Sequence, residues 1–371
     1  MRAKSNVIVI DLGACSCKAG FAGEDTPRSN FPTLVAKVKN YDPVLDDAGH
    51  DFVVGNMQNA NVDIPSILCP FKNGLVSAKE DIEKLFTHIF ENELHVDSEK
   101  RPIVLSEPLE NTKETRSCFA EVLFETFHIP SIFMGSSPSL ALYSSCETAG
   151  VVLDVGDSFA QVSSIYEWTQ MPQTLIRTNL AGMTVSKYFQ KCLKDTSYQF
   201  TSSNGTTFAK QLKEKLGFVS LDYQKTSQME DDKKIEYQLG PDSNIKVGKE
   251  RFMCPECLFQ PSLVGMDCDS VATMVYESVM RSDIGLRDDL LKNIVISSGT
   301  TLMKGFEERL KKELTSLFEG RSFNLVASPK RLNSVWVGGS IVGSLALFSQ
   351  MVVTREEFGE VGATALMRRF Y

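Results

Sequence analysis

The apolar positions of this chain fall into short runs rich in β-branched residues, separated by segments with helical periodicity. Short apolar runs bounded by glycine or polar residues predict buried strands. The predicted strands are Val7–Ile10, Ile103–Leu105, Val151–Leu153, Ile294–Ile296 and Phe323–Val326. Helices are predicted over residues 77–94, 111–127 and 304–318. Strands that alternate with helices indicate an α/β architecture.

The segment 77–94 has the clearest helical pattern. Ser77 and Glu80 have the spacing of a capping box, which predicts a helix that begins near Ser77. The apolar side chains recur at helical spacing, so we expect one buried face. That face contains Ile82, Leu85, Phe86, Ile89, Phe90 and Leu94.

An Asp-x-Gly sequence follows an apolar run twice, at Asp11-Leu12-Gly13 and at Asp154-Val155-Gly156. Each copy predicts a hairpin with glycine at its turn. A third turn, 297–301, follows another predicted strand. Glycine turns let backbone N–H groups approach phosphate oxygens, and an aspartate from each hairpin can hold a divalent metal through its waters. The repeat therefore predicts duplicated domains that face each other across a cleft.

Composition narrows the classes of function. The chain has 371 residues, of which 42% are hydrophobic and 23% charged, enough for two domains with cores. Its net charge is −8 without a basic run, so no nucleic-acid partner is predicted. The sequence has no GxxxxGK[ST], and no GxGxxG follows a strand, which excludes the P-loop and Rossmann routes to a nucleotide. HExxH and GxSxG are absent too.

The cysteines and the apolar segments bear on location. Nine scattered cysteines predict free thiols in a reducing compartment. Cys254-Pro-Glu-Cys257 has no second CxxC pair, so we do not interpret it as a zinc or redox site. The apolar stretch 335–348 is short and broken by Gly and Ser, and the run before Asp11 is too short for a secretory signal. We therefore expect an intracellular protein without a membrane span.

Five longer stretches resemble the actin family. They are Lys18–Pro32 (KAGFAGEDTPRSNFP), Phe124–Pro130 (FETFHIP), Lys213–Asp222 (KEKLGFVSLD), Glu250–Met266 (ERFMCPECLFQPSLVGM) and Ser334–Met351 (SVWVGGSIVGSLALFSQM). The likeness covers essentially the whole chain. The chain resembles a divergent actin or actin-related protein more than a conventional actin. The fold is shared distantly with hexokinase and the heat-shock ATPase chaperones. The resemblance implies an α/β fold of two lobes, each a central β-sheet flanked by helices, with nucleotide in the cleft between them.

The resemblance also implies lobe boundaries. The first lobe would contain residues 1–144 plus 334–371, with 33–69 as a small excursion subdomain. The second lobe would contain residues 145–333, with 181–266 as its excursion.

The implied ligands are ATP or ADP with Mg²⁺, with Ca²⁺ as the alternative cation. Asp11 and Asp154 would position the metal through water. The phosphate loops would be formed by Gly13, Ala14, Cys15, Lys18, Gly156, Asp157 and Ser158. The ribose and adenine would be enclosed by Gly182, Lys210, Lys213, Glu214, Gly299, Thr300, Leu302 and Leu332.

Several of these positions depart from the family pattern. Ala14 and Cys15 stand where the family usually has serine and glycine. The exchange removes a hydroxyl donor to phosphate, and losing that hydrogen bond weakens the free energy of binding by on the order of 1.5–3 kcal/mol. Ser158 replaces a customary glycine, Lys210 an arginine, and Leu332 a common lysine.

The catalytic positions are degenerate. The family places its attacking water with a glutamine and a histidine, and this chain has Ser137 and Gln161 at those positions. Asp154 is the third catalytic residue that the resemblance implies. Ser137 is too short to reach the water, and an amide cannot relay a proton near neutral pH as imidazole does. Positioned acid–base groups contribute roughly 10²–10⁴ in rate. We therefore expect ATP hydrolysis to be slow or absent.

The family's partner groove is altered as well. In actins a groove at the base of the lobes receives a neighbouring subunit's loop or the helices of actin-binding proteins. Here it would be lined by Tyr143, Trp168, Ile341, Leu345 and Met351. Trp168 replaces a glycine at its rim and either fills the groove, forms a different hot spot, or lies on the surface without effect.

These features favour an ATP-holding structural subunit of a cytoskeletal filament or multiprotein complex in the cytoplasm. Its partners would be itself or other actin-family subunits. The alternative is a polymerising actin whose ATP hydrolysis drives filament turnover. A less favoured alternative is a phosphotransferase on the same fold, for which the sequence offers no residue set around an acceptor hydroxyl.

Overall fold

The computed structural model describes residues 6–37, 52–56, 67–72, 75–193, 205–229, 234–240 and 243–370. The strands within these residues are β1 (Ile8–Leu12), β2 (Ser16–Phe21), β3 (Ser29–Pro32), β4 (Val35–Lys37), β5 (Phe52–Val54), β6 (Ile67–Leu68), β7 (Phe71–Lys72), β8 (Leu75–Val76), β9 (Ile103–Glu107), β10 (Ser131–Ser136), β11 (Gly150–Val155), β12 (Ala160–Tyr166), β13 (Thr169–Gln170), β14 (Ile176–Thr178), β15 (Ile235–Gly240), β16 (Ser243–Val247), β17 (Ile294–Ser297), β18 (Leu325–Val326) and β19 (Val353–Thr354).

The α-helices in the same residues are α1 (Lys79–Thr87), α2 (Lys113–Glu121), α3 (Ser137–Ser144), α4 (Gly182–Leu193), α5 (Gly205–Leu216), α6 (Tyr223–Met229), α7 (Glu250–Glu256), α8 (Val271–Met280), α9 (Arg287–Leu291), α10 (Phe306–Leu317), α11 (Ser334–Gly343), α12 (Phe348–Met351), α13 (Arg355–Val361) and α14 (Thr364–Arg369). Two π-helical segments, His88–Glu93 and Val122–Thr126, extend α1 and α2. Short 3₁₀ helices occupy Ser98–Lys100, Pro172–Thr174, Pro261–Val264, Ile284–Leu286, Gly299–Leu302 and Arg331–Asn333.

The chain divides into two compact units. The first contains Met1–Glu147 and Asn333–Tyr371, and the second contains Thr148–Leu332. Much of the expected excursion 33–69 and parts of the excursion 181–266 lie outside the described residues.

Each unit is built on a six-stranded sheet. In the first unit the strand order is β19-β10-β9-β1-β2-β3, and in the second it is β13-β12-β11-β17-β18, with β14 also paired to β12. β1 is parallel to β9 and antiparallel to β2. β11 is likewise parallel to β17 and antiparallel to β12. The repeat predicted from the two Asp-x-Gly sequences is therefore confirmed in strand order and direction.

The predicted strands and helices are present, with shifted ends. All five apolar runs form strands, although Phe323–Val326 shortens to Leu325–Val326. The apolar face of the segment 77–94 is buried in the core of the first unit, as predicted. The capping box is wrong, because α1 begins after Ala78 and has no side-chain cap. The caps of neighbouring helices are conventional, as at Thr112, whose hydroxyl accepts from the amide of Thr115.

The CxxC pair lies inside the second unit. Cys254 belongs to α7 and Cys257 follows it, and both thiols are buried. Burial raises the pKa of Cys257 to about 12 and raises that of Cys254 as well. Such thiols are protonated near neutral pH, and nucleophilic attack requires the thiolate. Among the described residues no group of three or more His, Cys, Asp or Glu side chains is placed to hold a metal ion.

The first part of the apolar stretch 335–348 lies in α11, which ends at Gly343 and packs on β1 and α3 of the first unit. The indole Nε1 of Trp336 donates to the carbonyl of Val9 at 3.0 Å. Gly338 allows the close approach, since a β-carbon there would lie 1.8 Å from the carbonyl oxygen of Leu140 in α3. The glycines of this stretch thus have a packing role. None of the helices in the described ranges is long and apolar enough to cross a membrane.

Gly338→Ala should therefore destabilise the first unit. The added methyl group meets backbone, which cannot rotate away, so we expect the free energy of unfolding to fall by about 1–3 kcal/mol or more. Denaturant unfolding followed by circular dichroism measures the change. The matched control is Gly359→Ala in α13, where an added β-carbon meets nothing within 4 Å. That variant should be neutral or gain up to about 1 kcal/mol. Equal losses in the two variants would contradict the packing role.

Candidate functional site

The first candidate carboxylate lies at the end of β1. Asp11 is opposite Lys18 in the β1–β2 hairpin, and the Lys18 Nζ donates to Asp11 Oδ2 at 2.8 Å. The other carboxylate oxygen, Oδ1, accepts from the hydroxyl of Ser106 on β9 at 2.7 Å. All three side chains are buried. A buried charge is tolerated when it is paired and hydrogen-bonded, so these donors hold the carboxylate in one orientation.

The second carboxylate has the same place in the second unit. Asp154 is opposite Gln161 in the β11–β12 hairpin, and Gln161 Nε2 donates to Asp154 Oδ2 at 2.9 Å. The hydroxyl of Ser298, just after β17, donates to Asp154 Oδ1. The two hairpins thus present equivalent aspartates, one facing the ammonium of Lys18 and the other facing the amide of Gln161.

The turns of the two hairpins are closed and braced in the same way. The amide of Gly13 donates to the carbonyl of Ser16 at 3.2 Å, and the amide of Gly156 donates to that of Phe159 at 3.1 Å. The carbonyl of Gly13 accepts from the Thr33 hydroxyl at 2.7 Å, and the carbonyl of Gly156 accepts from the Thr300 hydroxyl at 2.8 Å. Each turn is therefore closed by a hydrogen bond within its hairpin and braced by a hydroxyl from outside it.

The altered residues of the first turn are placed in this frame. The carbonyl of Ala14 accepts from the thiol of Cys69 at 3.5 Å, and the carbonyl of Cys15 accepts from the amide of Thr33 at 3.1 Å. In the second unit Ser158, at the corresponding turn, is half-buried.

A third element joins the second turn. The amide of Gly182, at the start of α4, donates to the carbonyl of Gly156 at 3.0 Å. A β-carbon on Gly182 would lie 2.6 Å from the Thr300 hydroxyl oxygen and 3.1 Å from Asp157 Oδ1. The site therefore requires glycine here, and a side chain would fill the space beside the turn.

Two lysines of α5 lie near the same turn. Lys213 is buried, and its Nζ donates to the carbonyl of Gly182 at 3.0 Å. Burial lowers the pKa of the Lys213 ammonium, and the Asp157 carboxylate opposes that shift. Lys210 Nζ lies 3.9 Å from Asp157 Oδ1. Glu214 is exposed.

Two of the candidate adenine residues, Gly299 and Leu332, lie close together in the second unit. A β-carbon on Gly299 would lie 3.3 Å from Leu332 Cδ1. Leu302 and Leu332 are exposed, although large apolar side chains are usually buried.

The hydrogen bonds of the second unit bring a set of candidate site residues together. This set contains Asp154, Gly156, Asp157, Gly182 and Lys213, with the turn that carries Gly299 and Thr300.

The two degenerate catalytic positions use their polar atoms inside the protein. Gln161 is 0% exposed and donates its amide to Asp154. The Ser137 hydroxyl, at the start of α3, donates to the carbonyl of Glu107 at 3.0 Å. Glu107 is buried in turn against Arg116, with a separation of 2.6 Å between Oε1 and Nη2.

The residues present suit a nucleotide with a divalent cation. Carboxylate oxygens such as those of Asp11 and Asp154 are the ligands that Mg²⁺ and Ca²⁺ prefer. The ammonium groups of Lys18 and Lys213 are buried, the first on Asp11 and the second on the carbonyl of Gly182. Gly182 keeps open a space that a side chain would close. When bound, such a cation would neutralise phosphate oxygens.

Sequence reasoning did not identify the residues that orient the two aspartates. Ser106 lies within a buried strand, and Ser298 was noted only as part of a glycine turn. Thr33 was also missed. The sequence signal that could have identified Ser106 and Ser298 is a hydroxyl residue at the carboxyl end of a parallel strand, because those ends meet at one edge of a sheet.

The groove residues are divided between the units. Tyr143, Ile341, Leu345 and Met351 belong to the first unit. Trp168 belongs to the second and is 53% exposed. It follows Glu167 in a two-residue turn between Tyr166 and Thr169, with φ of 48° at Glu167 and 67° at Trp168. Both angles are those of a type I′ turn, which favours glycine at its second position.

A comparison with known families places this architecture. The family model described as Actin matches residues 2–371, nearly the full length of the chain. Two compact units, each with α-helices and a six-stranded sheet, fit the two-lobed fold of that family. Members of this family generally bind ATP or ADP with a divalent cation. The chain belongs to the actin family.

Proposed function

We propose that this protein is a divergent actin-family subunit that binds ATP or ADP with Mg²⁺, or Ca²⁺ in its place, and hydrolyses ATP weakly or not at all. The observation that supports it best is the repeated aspartate hairpin, in which a buried carboxylate is held by two donors beside a glycine turn. The lobe boundaries at 144/145 and 333/334, with excursions at 33–69 and 181–266, belong to this proposal.

Within the proposed site each residue has a physical role. Asp11 and Asp154 orient the cation's waters, and the turns at Gly13 and Gly156 offer backbone amides to phosphate. Lys18 is a point charge on the phosphate chain. Gly299, Thr300, Leu302 and Leu332 enclose the base and ribose, with Gly182, Lys210, Lys213 and Glu214.

Weak hydrolysis follows from the two degenerate positions. Gln161 is fully buried with its amide on Asp154, and the Ser137 hydroxyl is bound to a backbone carbonyl. Neither group can accept a proton from water near neutral pH. In this role the nucleotide stabilises the folded state by mass action rather than driving a cycle.

We place the protein in the cytoplasm, in a cytoskeletal filament or a multiprotein complex. Its proposed partners are further copies of itself or other actin-family subunits. Actin-binding proteins would contact Tyr143, Trp168, Ile341, Leu345 and Met351. The exposed indole of Trp168, held in a turn that favours glycine, supports an altered contact at this position.

Nucleotide binding is tested with Asp154→Asn, which removes a charge and keeps the side-chain shape. We expect the purified full chain to bind Mg-ATP, and the variant to bind it at least about tenfold more weakly, because a charged group that orients the cation's waters is lost. Isothermal titration calorimetry measures both affinities. Asp288→Asn, on the exposed Asp288 of α9, should bind like the unaltered protein. An unaltered chain that binds no Mg-ATP would refute the proposed function.

Hydrolysis is tested by restoring the longer side chains. The double variant Ser137→Gln/Gln161→His should hydrolyse ATP faster by about 10²-fold or more, since it supplies a water-positioning amide and a titratable imidazole. Phosphate release under single-turnover conditions measures the rate. Ser137→Ala is the control and should give no gain. Rapid hydrolysis by the unaltered chain would contradict the proposal and favour the polymerising alternative.

A further inference from the structure

Ser298 has a backbone conformation that side chains other than glycine rarely adopt. Its φ is 70° and its ψ 168°. That region of conformational space is essentially restricted to glycine and costs on the order of 1–3 kcal/mol for other residues, unless the surrounding structure holds it. Ser298 is therefore a strained residue that contacts Asp154, the carboxylate proposed to orient the cation's waters.

The strand register shows what the strain achieves. In the first unit Ile10 is opposite Leu105, so Ser106 follows in register with Asp11 and donates to it from a regular strand. In the second unit the residue in register with Asp154 is Ser297, yet the hydroxyl that reaches Asp154 belongs to Ser298.

Side chains alternate between the faces of a strand, so an extended continuation of β17 would point Ser298 away from the face of Ser297. The positive φ at Ser298 breaks that alternation and allows its hydroxyl to reach the carboxylate.

Several neighbours hold this conformation. The amide of Ser298 donates to the carbonyl of Arg331 at 3.2 Å, and its own carbonyl accepts from the Thr301 hydroxyl at 2.8 Å. The buried guanidinium of Arg331 donates from Nε to the same Thr301 hydroxyl at 2.9 Å. Ser298 is thus fixed from its backbone and joined to the 3₁₀ turn Gly299–Leu302, where Thr300 donates to Gly156.

We propose that Ser298 is a positioning residue that orients the Asp154 carboxylate for the divalent cation and ties it to the turn expected to hold the nucleoside. This inference rests on the proposed function, because it concerns the same site. Its specific content is that the hydroxyl, and not the backbone shape of the turn, supports cation binding.

Two variants separate the hydroxyl from the backbone strain. Ser298→Gly removes the hydroxyl and relieves the positive φ, whereas Ser298→Ala removes the hydroxyl and keeps the strain. In the full chain without nucleotide, we expect Ser298→Gly to melt at a higher temperature than Ser298→Ala. Both variants should need about ten- to hundredfold more Mg²⁺ for half-maximal tightening of ATP binding, since a hydrogen bond to a charged group is lost.

The affinity for ATP in excess EDTA should change less than threefold in either variant, because the proposed role acts through the cation. Ser106→Ala is a comparison variant that removes the equivalent donor on Asp11 from an unstrained strand. Its nucleotide-free melting temperature will show the effect of losing such a donor without any change of strain.

Three outcomes bear on the inference. A loss of Mg²⁺ affinity that is equal in Ser298→Gly and Ser298→Ala, despite their different stabilities, supports it. Normal Mg²⁺ dependence in Ser298→Gly overturns it, because the backbone would then suffice. An unaltered protein that binds no ATP refutes the proposed function itself, and is distinguished from the second outcome because the unaltered chain alone shows it.

Discussion

The structure depends on burying a carboxylate at the end of the central strand in each unit. A buried charge is costly unless donors surround it, so each aspartate requires a cross-strand partner and a hydroxyl from the neighbouring parallel strand or the residue after it. Lys18 and Ser106 meet this need at Asp11, and Gln161 and Ser298 meet it at Asp154. Within each unit, the sheet and the turn around the aspartate place both of these donors on its carboxylate.

The two halves of the repeat have diverged chemically while their backbones stay equivalent. At the first hairpin an ammonium faces the aspartate, and at the second an uncharged amide does. Threonine hydroxyls brace both glycine turns at nearly equal distances, although Thr33 and Thr300 come from unrelated parts of the chain. The proposed function assigns ligand binding to this common geometry. The polar side-chain atoms of Ser137 and Gln161 are both hydrogen-bonded inside the protein, and the proposal of weak hydrolysis rests on this.

Local patterns predicted much of the fold because their causes are local. Apolar runs became strands, and the apolar face of 77–94 is buried. The capping box failed because α1 begins one residue beyond Ala78, without a side-chain cap. Neither Ser106 nor Thr33 was found, because a serine or threonine in a strand looks the same whether or not a carboxylate lies beside it. The glycines of α11 were noted as breaks in an apolar stretch, and their packing against α3 depends on a contact distant in sequence.

The sequence by itself determined the two hairpins, the positions of Asp11 and Asp154, and the family, because strand length, turn glycine and motif order are encoded by neighbouring residues. Only the tertiary structure decided which hydroxyl serves each aspartate. Ser106 reaches Asp11 from a strand in regular register. Ser298 reaches Asp154 through a backbone conformation with positive φ, which Arg331 and Thr301 hold. That choice depends on the alignment of strands far apart in the chain and on a strained torsion angle, neither of which is expressed by the order of residues within one segment.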